Sequence, residues 1–176
     1  AVNRIKRVFI QQTKKKRYKI GHAGTLDPLA SGLLIMCSGK KTKTISSFQN
    51  LPKEYTATIK LGATTPSYDL ETEIDNTFDI SDITKEDILK CAESFIGEQD
   101  QLPPIFSAKK IDGKRAYDLA RAGEEVKVKP NKITIHEMEI LEIKLPEIKV
   151  RISCSKGTYI RSIAYDFGVK LKNGAH

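Results

Sequence analysis

Apolar residues recur at helical spacing in four parts of the chain. The pattern predicts helices over 2–9, 40–50, 84–97 and 160–171. Thr84 followed by Asp87 resembles a capping box, which favours a helix start at this point. Gly97 is a good C-terminal stop for the same helix, and its apolar stripe indicates a structural role.

Strict alternation of apolar and polar residues predicts strands over 55–61, 133–145 and 148–154. A turn at Pro146-Glu147 connects the last two of these strands, so they are predicted to pair antiparallel. The alternation shifts phase near His136, which indicates a β-bulge. Cys154 lies on the apolar side and is predicted to belong to the core. The uninterrupted apolar run 33–37 predicts a buried strand. We therefore expect an α+β fold with a mixed, mostly antiparallel sheet and flanking helices.

Residues 21–34 cannot form one regular element, because they include three glycines and Pro28. Pro28 favours an extended conformation of the preceding residue, Asp27, and so displays it on a loop. A loop aspartate commonly makes an Asx-turn, and from turn chemistry alone that is the ordinary interpretation. The alternative is a reactive carboxylate.

The chain carries a formal charge of +8, which is unevenly distributed. Asp27 is the sole acidic residue of positions 1–53, which contain twelve Lys or Arg, whereas 69–100 is mostly acidic. Nearby cations favour the ionised carboxylate, and a basic region attracts phosphates. The composition therefore favours a nucleic acid over a membrane surface as the binding partner. Lys43 lies in the basic turn 40–43 and is expected to contact a phosphate for the same reason. The alternative is that these lysines are ordinary surface residues.

Asp112-Gly113 is a strong hairpin-turn signal after a possible strand over 106–111. Cations surround this turn and the short helix predicted after it, ended by Gly123: Lys109, Lys110, Lys114, Arg115 and Arg121. A basic hairpin tip suits contacts to an RNA backbone. The alternative is an edge hairpin that lysines protect from aggregation.

The sequence argues against a membrane or secreted protein and against a protein built on zinc or disulfides. No apolar run approaches the length of a membrane span, and no secretory signal pattern is present. The cysteines Cys37, Cys91 and Cys154 are isolated, which argues against a zinc site or a disulfide framework. We expect no metal and a reducing, cytoplasmic location.

Three segments resemble the TruB family of tRNA pseudouridine synthases. The first is Gly-His-Ala-Gly-Thr-Leu-Asp-Pro-Leu-Ala-Ser-Gly-Leu-Leu over 21–34, the second is the Tyr-to-Leu-Gly spacing of 55–62, and the third is Cys-x-x-Gly-Thr-Tyr-Ile-Arg over 154–161. The resemblance covers nearly the whole chain. The family pattern also has a Lys-Pro-x-Gly segment before the first helix and a strand after Gly-Ala-His, so we expect 1–176 to be a catalytic domain incomplete at both ends.

The resemblance implies roles for individual residues. Asp27 would be the nucleophile and Arg161 its ion-pair partner, with Tyr55 against the target uracil. The remaining residues expected to bind substrate are His22, Tyr159, Asp69 and Lys43. The family continues after the aspartate at position 69 with an acidic residue and glycine, where this chain has Leu70-Glu71-Thr72.

The resemblance also implies the reaction, which is isomerisation of the T-loop uridine at position 55 of tRNA by a monomer without a cofactor. The segment at about 99–126 resembles the RNA-gripping insertion of the family. Two alternatives stay open at this point. One is a non-catalytic RNA-binding or RNA-folding module, and the other is a relative that works with guide RNA.

Overall fold

The computed structural model describes residues 2–14, 17–106, 110–111, 114–115 and 129–176. The chain forms two compact units, Ala1–Leu51 and Pro52–His176. We describe each unit by itself.

The first unit contains a long helix, a short antiparallel strand pair and two short helical turns. Their bounds are α1 Val2–Thr13, β1 Ile20–His22, β2 Met36–Ser38, a 3-10 helix Gly39–Thr44 and α2 Ile45–Gln49. The predicted N-terminal helix is confirmed, with apolar residues on one face and cations on the other. The register of the strand pair joins Ile20 to Ser38 and His22 to Met36.

Two predictions in the first unit need correction. The predicted buried strand over 33–37 begins only at Met36, and Leu33 is 87% exposed. A strand extends only while a partner supplies hydrogen bonds, and β1 ends at His22. The helix predicted over 40–50 is interrupted, because its basic first part is the 3-10 helix and only Ile45–Gln49 is α-helical.

The second unit is built on a four-stranded antiparallel sheet. Its spatial order is β3-β10-β9-β6, with β3 Lys53–Lys60, β6 Gly97–Gln101, β9 Asn131–Lys144 and β10 Glu147–Cys154. Two-stranded pairs accompany it: β4 Ala63–Thr64 with β5 Asn76–Thr77, and β7 Lys110–Ile111 with β8 Lys114–Arg115. The remaining described helices are α3 Lys85–Glu93 and α4 Ile160–Lys170. The predicted fold class is confirmed.

One face of the sheet carries the core. Alternate residues of β10 are fully buried there, from Ile148 to Cys154, and pack with apolar residues of α3 and α4. The rings of Phe95 and Phe167 stack at 5.9 Å between centroids. Cys154 is fully buried and belongs to the core as predicted, and this burial raises the pKa of its thiol.

The slip of alternation near His136 is a β-bulge. The register of β10 against β9 moves from Ser153–Glu137 to Cys154–Ile135, which leaves His136 unpaired in the ladder. A second register shift, which the sequence pattern did not predict, passes over Leu141. The two bulges let a 14-residue strand keep its apolar side on the core.

Helix α3 begins as predicted but ends early. Thr84 and Asp87 form the reciprocal capping box. The helix ends at Glu93, and of the two stripe residues beyond it Phe95 is still buried in the core whereas Ile96 is exposed to solvent. Leu89 is also exposed, and Gly97 opens strand β6 with a φ of +113°. Strand β6 was missed because its sequence, Gly-Glu-Gln-Asp-Gln, has little strand propensity.

The two arms of the predicted basic hairpin pair antiparallel, with Lys110 opposite Arg115 and Ile111 opposite Lys114. The possible strand over 106–111 is wrong at its start, because Phe106 lies in a bend. The Asp112-Gly113 turn, Lys109 and the short helix containing Arg121 lie outside the described residues. Within the parts of the chain that are described, no helix is both long and apolar enough to cross a bilayer.

Candidate active site

The loop that carries Asp27 follows directly from strand β1. Its first part is fixed by the backbone, since the Ala23 amide donates to the Ile35 carbonyl at 2.9 Å. A turn then forms where the Ala30 amide donates to the Asp27 carbonyl at 3.0 Å. The Asp27 side chain is exposed, as expected for a carboxylate displayed on a loop.

His22 and Lys43 belong to the same unit as Asp27. His22 is half-buried at the end of β1, and its Nδ1 donates to the Gly24 carbonyl, which orients the ring towards the loop backbone. Lys43 is exposed in the 3-10 helix. Every charged side chain of positions 1–53 other than Asp27 is cationic, so this unit presents one carboxylate among basic groups.

Arg161 lies in the second unit, in the first turn of α4, and its guanidinium is held from several sides. Nη1 donates to the carbonyls of Ser67 at 3.1 Å and of Phe106 at 3.0 Å. Nε lies 3.5 Å from Oδ2 of Asp69. The two side chains are only 13% and 16% exposed, so the charges attract each other with little screening by water. The resemblance implied Asp27 as the ion-pair partner of this arginine; within the second unit, the carboxylate beside it is that of Asp69.

Asp69 is itself fixed by the loop around it. Its Oδ1 accepts from the Ser67 hydroxyl and from the Glu71 amide at 2.9 Å. Its carbonyl accepts from the Thr65 hydroxyl at 2.7 Å. The Thr72 hydroxyl accepts from the Ser67 amide at 3.1 Å, which closes the loop. The carboxylate is therefore oriented before any substrate arrives.

Tyr55 and Tyr159 occupy separate elements of the second unit. Tyr55 lies on β3 opposite Ile152 and packs partly against the core, so it retains accessible ring surface. Tyr159 is the residue before helix α4 and is half-buried. The uracil site predicted between these two rings stays a prediction. Likewise, Asp27 belongs to the first unit and Arg161 to the second, and their ion pair stays a prediction.

A cavity of about 380 Å³ lies next to the Asp69 loop. The rings of Tyr68 and Tyr165, which line it, stack at 4.2 Å between centroids. Tyr68 has a φ of +61°, an unusual conformation for a bulky residue, and the hydrogen bonds of the loop maintain it. Burial, together with the neighbouring Tyr165, Asp166 and Asp75, raises the pKa of Tyr68, so its phenol stays protonated at neutral pH.

The sequence did not identify several groups that hold Arg161. The carbonyls of Ser67 and Phe106 leave no signature, because every residue has a carbonyl. The Ser67 and Thr72 hydroxyls carried a weak signal, a cluster of small polar residues beside Asp69.

The strands of the basic hairpin contain Lys110, Lys114 and Arg115, while Lys109 and Arg121 fall outside the described residues.

Within the described ranges, no group of three or more His, Cys, Asp or Glu residues could hold a metal ion.

Comparison with known proteins decides the family. The sequence model of the TruB family pseudouridylate synthases (N-terminal domain) matches residues 6–160. The chain belongs to the TruB family. The resemblance found in the sequence is thereby confirmed, and the match spans the Asp27 loop, the strand of Tyr55 and the start of α4.

Other TruB proteins are similar over nearly the whole chain. The tRNA pseudouridine synthase B of Bacteroides fragilis is 59% identical over 166 residues, which are 94% of this chain and 71% of that protein. The protein of the same name from Flavobacterium johnsoniae is 58% identical over 177 residues, covering 100% and 77%. The one from Clostridium tetani is 48% identical over 157 residues, covering 89% and 54%.

Solved structures are similar to this chain in fold at lower sequence identity. A chain from the "Crystal Structure of a Cbf5-Nop10-Gar1 Complex" aligns with a TM-score of 0.68 and 25% identity, covering 100% of this chain and 43% of that one. A chain from the "Structure of H/ACA RNP bound to a substrate RNA containing 2'-deoxyuridine" aligns with a TM-score of 0.64 and 23% identity, covering 100% and 41%.

Proposed function

We propose that this TruB protein isomerises a uridine of tRNA to pseudouridine, acting at position 55 in the T-loop. Support comes from relatives named tRNA pseudouridine synthase B that are up to 59% identical over most of the chain. The reaction breaks the N-glycosidic bond, turns the uracil and rejoins it to the ribose through carbon. No atom is gained or lost, so the proposal requires neither a cofactor nor a metal.

The main structural support for the proposal is that the Arg161 guanidinium is held in one orientation. Its guanidinium meets Asp69 and two backbone carbonyls in a largely buried setting, which fixes its plane and direction. A cation held in this way is preorganised to stabilise a reacting carboxylate. A protein that only binds RNA phosphates has no need of such a buried and oriented arginine.

Asp27 is the carboxylate to which we assign the chemistry, with Arg161 as its cationic partner. It is exposed on the Gly-Pro loop and is the sole acidic group of positions 1–53. An ionised carboxylate suits three routes: attack on the base, attack on C1′ of the ribose, or proton removal from C2′. All three give the same product and use the same two residues.

The uridine must leave its stack before it can react. We assign Tyr55 as the ring that packs against the uracil, because it is half-buried and carries accessible aromatic surface. Tyr159 and His22 complete the nucleotide site. Lys43 is exposed and contributes a cation for a phosphate, while Asp69 acts on the substrate through Arg161.

RNA outside the reacting nucleotide is held by cations of the insertion at about 99–126. In the backbone register of strands β7 and β8, Lys110 is paired with Arg115, so two cationic residue types occupy opposite positions of the hairpin. Contacts of this kind position an RNA backbone without reading its sequence. We propose that Lys109, Lys114 and Arg121 extend this surface, that the partner is the T-arm of tRNA, and that a monomer acts in the cytoplasm as one catalytic domain.

The proposal is tested by incubating the purified protein with an unmodified tRNA transcript and no other RNA. Pseudouridine is mapped by carbodiimide adducts that stop reverse transcription. We expect one stop at position 55, and none in a transcript with cytidine there. Binding without conversion would favour the RNA-folding module, and conversion only after addition of a guide RNA would favour the guide-dependent class.

A further inference from the structure

The side-chain amide of Gln101 makes two hydrogen bonds with the backbone of one residue, Tyr159. Its Oε1 accepts from the Tyr159 amide at 2.8 Å, and its Nε2 donates to the Tyr159 carbonyl at 3.0 Å. Gln101 is the last residue of β6 and is only 3% exposed. Because a buried amide is costly unless both of its ends are satisfied, this pairing fixes the two residues relative to each other.

The contact lies where helix α4 begins. Tyr159 is the N-cap residue, with extended backbone angles φ −101° and ψ 110°, and its side chain makes no capping hydrogen bond. A helix start is ordinarily specified by a capping Ser, Thr, Asp or Asn. Here Gln101 holds the residue before the helix in its extended conformation, and Arg161 follows two residues later. The start of the helix is thus fixed by a side chain distant in sequence and not by a local capping residue.

Two further contacts join the same segments. The hydroxyl of Ser162, which is buried, donates to the Leu102 carbonyl at 2.7 Å. Arg161 donates to the Phe106 carbonyl at 3.0 Å. The segment 101–106 therefore makes hydrogen bonds with Tyr159, Arg161 and Ser162, and so holds the first turn of the helix.

We propose that Gln101 is a positioning residue of the reaction. It sets the direction of the Tyr159 ring and the start of the helix that presents Arg161, without touching the substrate itself. The inference rests on the proposed function, in which Tyr159 and Arg161 serve the uridine and the nucleophile. Its geometric part concerns the backbone of Tyr159 and can be tested without any turnover.

Two substitutions separate this role from simple packing. Gln101→Met keeps the length of the side chain and removes both hydrogen bonds. Gln101→Glu keeps an acceptor for the Tyr159 amide but sets a carboxylate against the Tyr159 carbonyl at neutral pH. When that carboxyl is protonated, its hydroxyl can donate in place of Nε2, so both bonds return. Burial raises the pKa of a carboxyl, which brings this protonation into a measurable range.

Gln99→Met is the matched control. Gln99 lies on the same strand, and its Nε2 donates to the Phe95 carbonyl at 2.7 Å, away from helix α4. The control removes the same chemical group from the same strand without disturbing Tyr159.

The activity measurement is the single-turnover rate of pseudouridine formation at saturating enzyme, taken from pH 5 to pH 8 and divided by the wild-type rate at each pH. We expect the rate of Gln101→Met to fall by at least about tenfold at every pH, with the tRNA Kd within about twofold, since two buried hydrogen bonds are lost. We expect Gln101→Glu to be low at pH 8 and to recover as the pH falls. Gln99→Met should match the wild type.

The structural measurement is hydrogen exchange at the Tyr159 amide, which Gln101 protects. Each rate is divided by the wild-type rate at the same pH, because amide exchange itself depends on pH. We expect this ratio to exceed one in Gln101→Met at all pH values. In Gln101→Glu it should exceed one at neutral pH, where the carboxylate repels the Tyr159 carbonyl, and fall towards one as the pH is lowered. An unchanged Tyr159 exchange rate, a Gln101→Met turnover within twofold of the wild type, or a Gln101→Glu turnover that ignores pH overturns the inference. A wild type without turnover overturns the proposed function instead, and the exchange data still decide the positioning role.

Discussion

The Nε atom of Arg161 lies 3.5 Å from Oδ2 of Asp69, across 92 positions of sequence, and both side chains are largely buried. Neither group is exposed enough for water to satisfy it, so each depends on the other and on nearby hydrogen bonds. Asp69 obtains these from the Ser67 hydroxyl and the Glu71 amide, and Arg161 from two carbonyls. The pair is thus one fixed unit, and loss of either member should affect the other.

Asp69→Asn should lower turnover by at least about tenfold, because the buried guanidinium loses its countercharge and reorients. It should also lower the free energy of unfolding by roughly 1–3 kcal/mol, the usual cost of leaving a buried charged group unsatisfied. Urea unfolding and single-turnover assays measure both effects. Glu73→Gln is the control, since Glu73 is an exposed acid of the same loop. Equal behaviour of the two variants would contradict the proposed role of Asp69.

Arg161→Lys should lose most of the activity while keeping the positive charge. A guanidinium meets Asp69, Ser67 and Phe106 at once through its planar fork, and an ammonium on a flexible stem cannot reproduce that arrangement. We expect a fall in kcat of at least about tenfold with little change in tRNA Kd. The control is Lys170→Arg, the opposite exchange at the last residue of the same helix. Near-normal kcat for Arg161→Lys would show that charge alone suffices.

Asp27→Asn should abolish turnover and leave tRNA binding within about tenfold, because the substitution removes the nucleophile and spares the phosphate contacts. Conversion is followed by carbodiimide mapping and binding by filter retention. Asp82→Asn, at an exposed position of the second unit, controls for the loss of one negative charge. Measurable turnover by the Asp27 variant close to that of the Asp82 variant would remove Asp27 from the mechanism.

The basic hairpin should contribute phosphate contacts that depend on salt. Replacing Lys109, Lys110, Lys114 and Arg115 with Ala should weaken tRNA binding and flatten its dependence on salt, by roughly one unit of log–log slope per lost contact. A second protein with four exposed lysines replaced elsewhere, Lys85, Lys90, Lys144 and Lys149, controls for net charge. Identical slopes for the two proteins would return the hairpin to the role of a protected sheet edge.

The capping box of α3 should stabilise the second unit in a pH-dependent way. Thr84→Ala removes the hydroxyl that bonds to Asp87 and should lower the free energy of unfolding at pH 7 by about 1 kcal/mol. Hydrogen bonds from the Thr84 side chain and backbone lower the pKa of Asp87 in the folded state. This contribution is present above the ordinary aspartate pKa and is lost as the pH falls through the lowered folded-state pKa.

The difference between the wild type and Thr84→Ala should therefore narrow at acid pH. Urea unfolding at a series of pH values measures it, and Thr84→Ser is the control, because serine keeps the capping hydroxyl. A difference that stays constant down to the acid limit of folding would mean that the Asp87 carboxylate does not take part.

Local regularities of the sequence were sufficient for much of the fold. The alternation in β3 and β10, the capping box at Thr84 and the slip at His136 all report the immediate neighbourhood of each residue, and each is present in the structure. Strand β6 was not predicted, because its polar residues form a strand only by pairing with β9, and that pairing depends on the tertiary structure. The early end of α3 and the exposure of Leu33 have the same origin, since partners rather than propensity decide where an element stops.

The candidate site divides along the same line. By itself the sequence determined the family and the isolated carboxylate Asp27, because fourteen ordered residues and a charge pattern are local information. Only the tertiary structure decided that Asp69 and the carbonyls of Ser67 and Phe106 hold this arginine, and that Gln101 pairs with Tyr159. Backbone carbonyls and a lone glutamine carry no sequence signal, and folding gives them a role by bringing distant segments within hydrogen-bond distance.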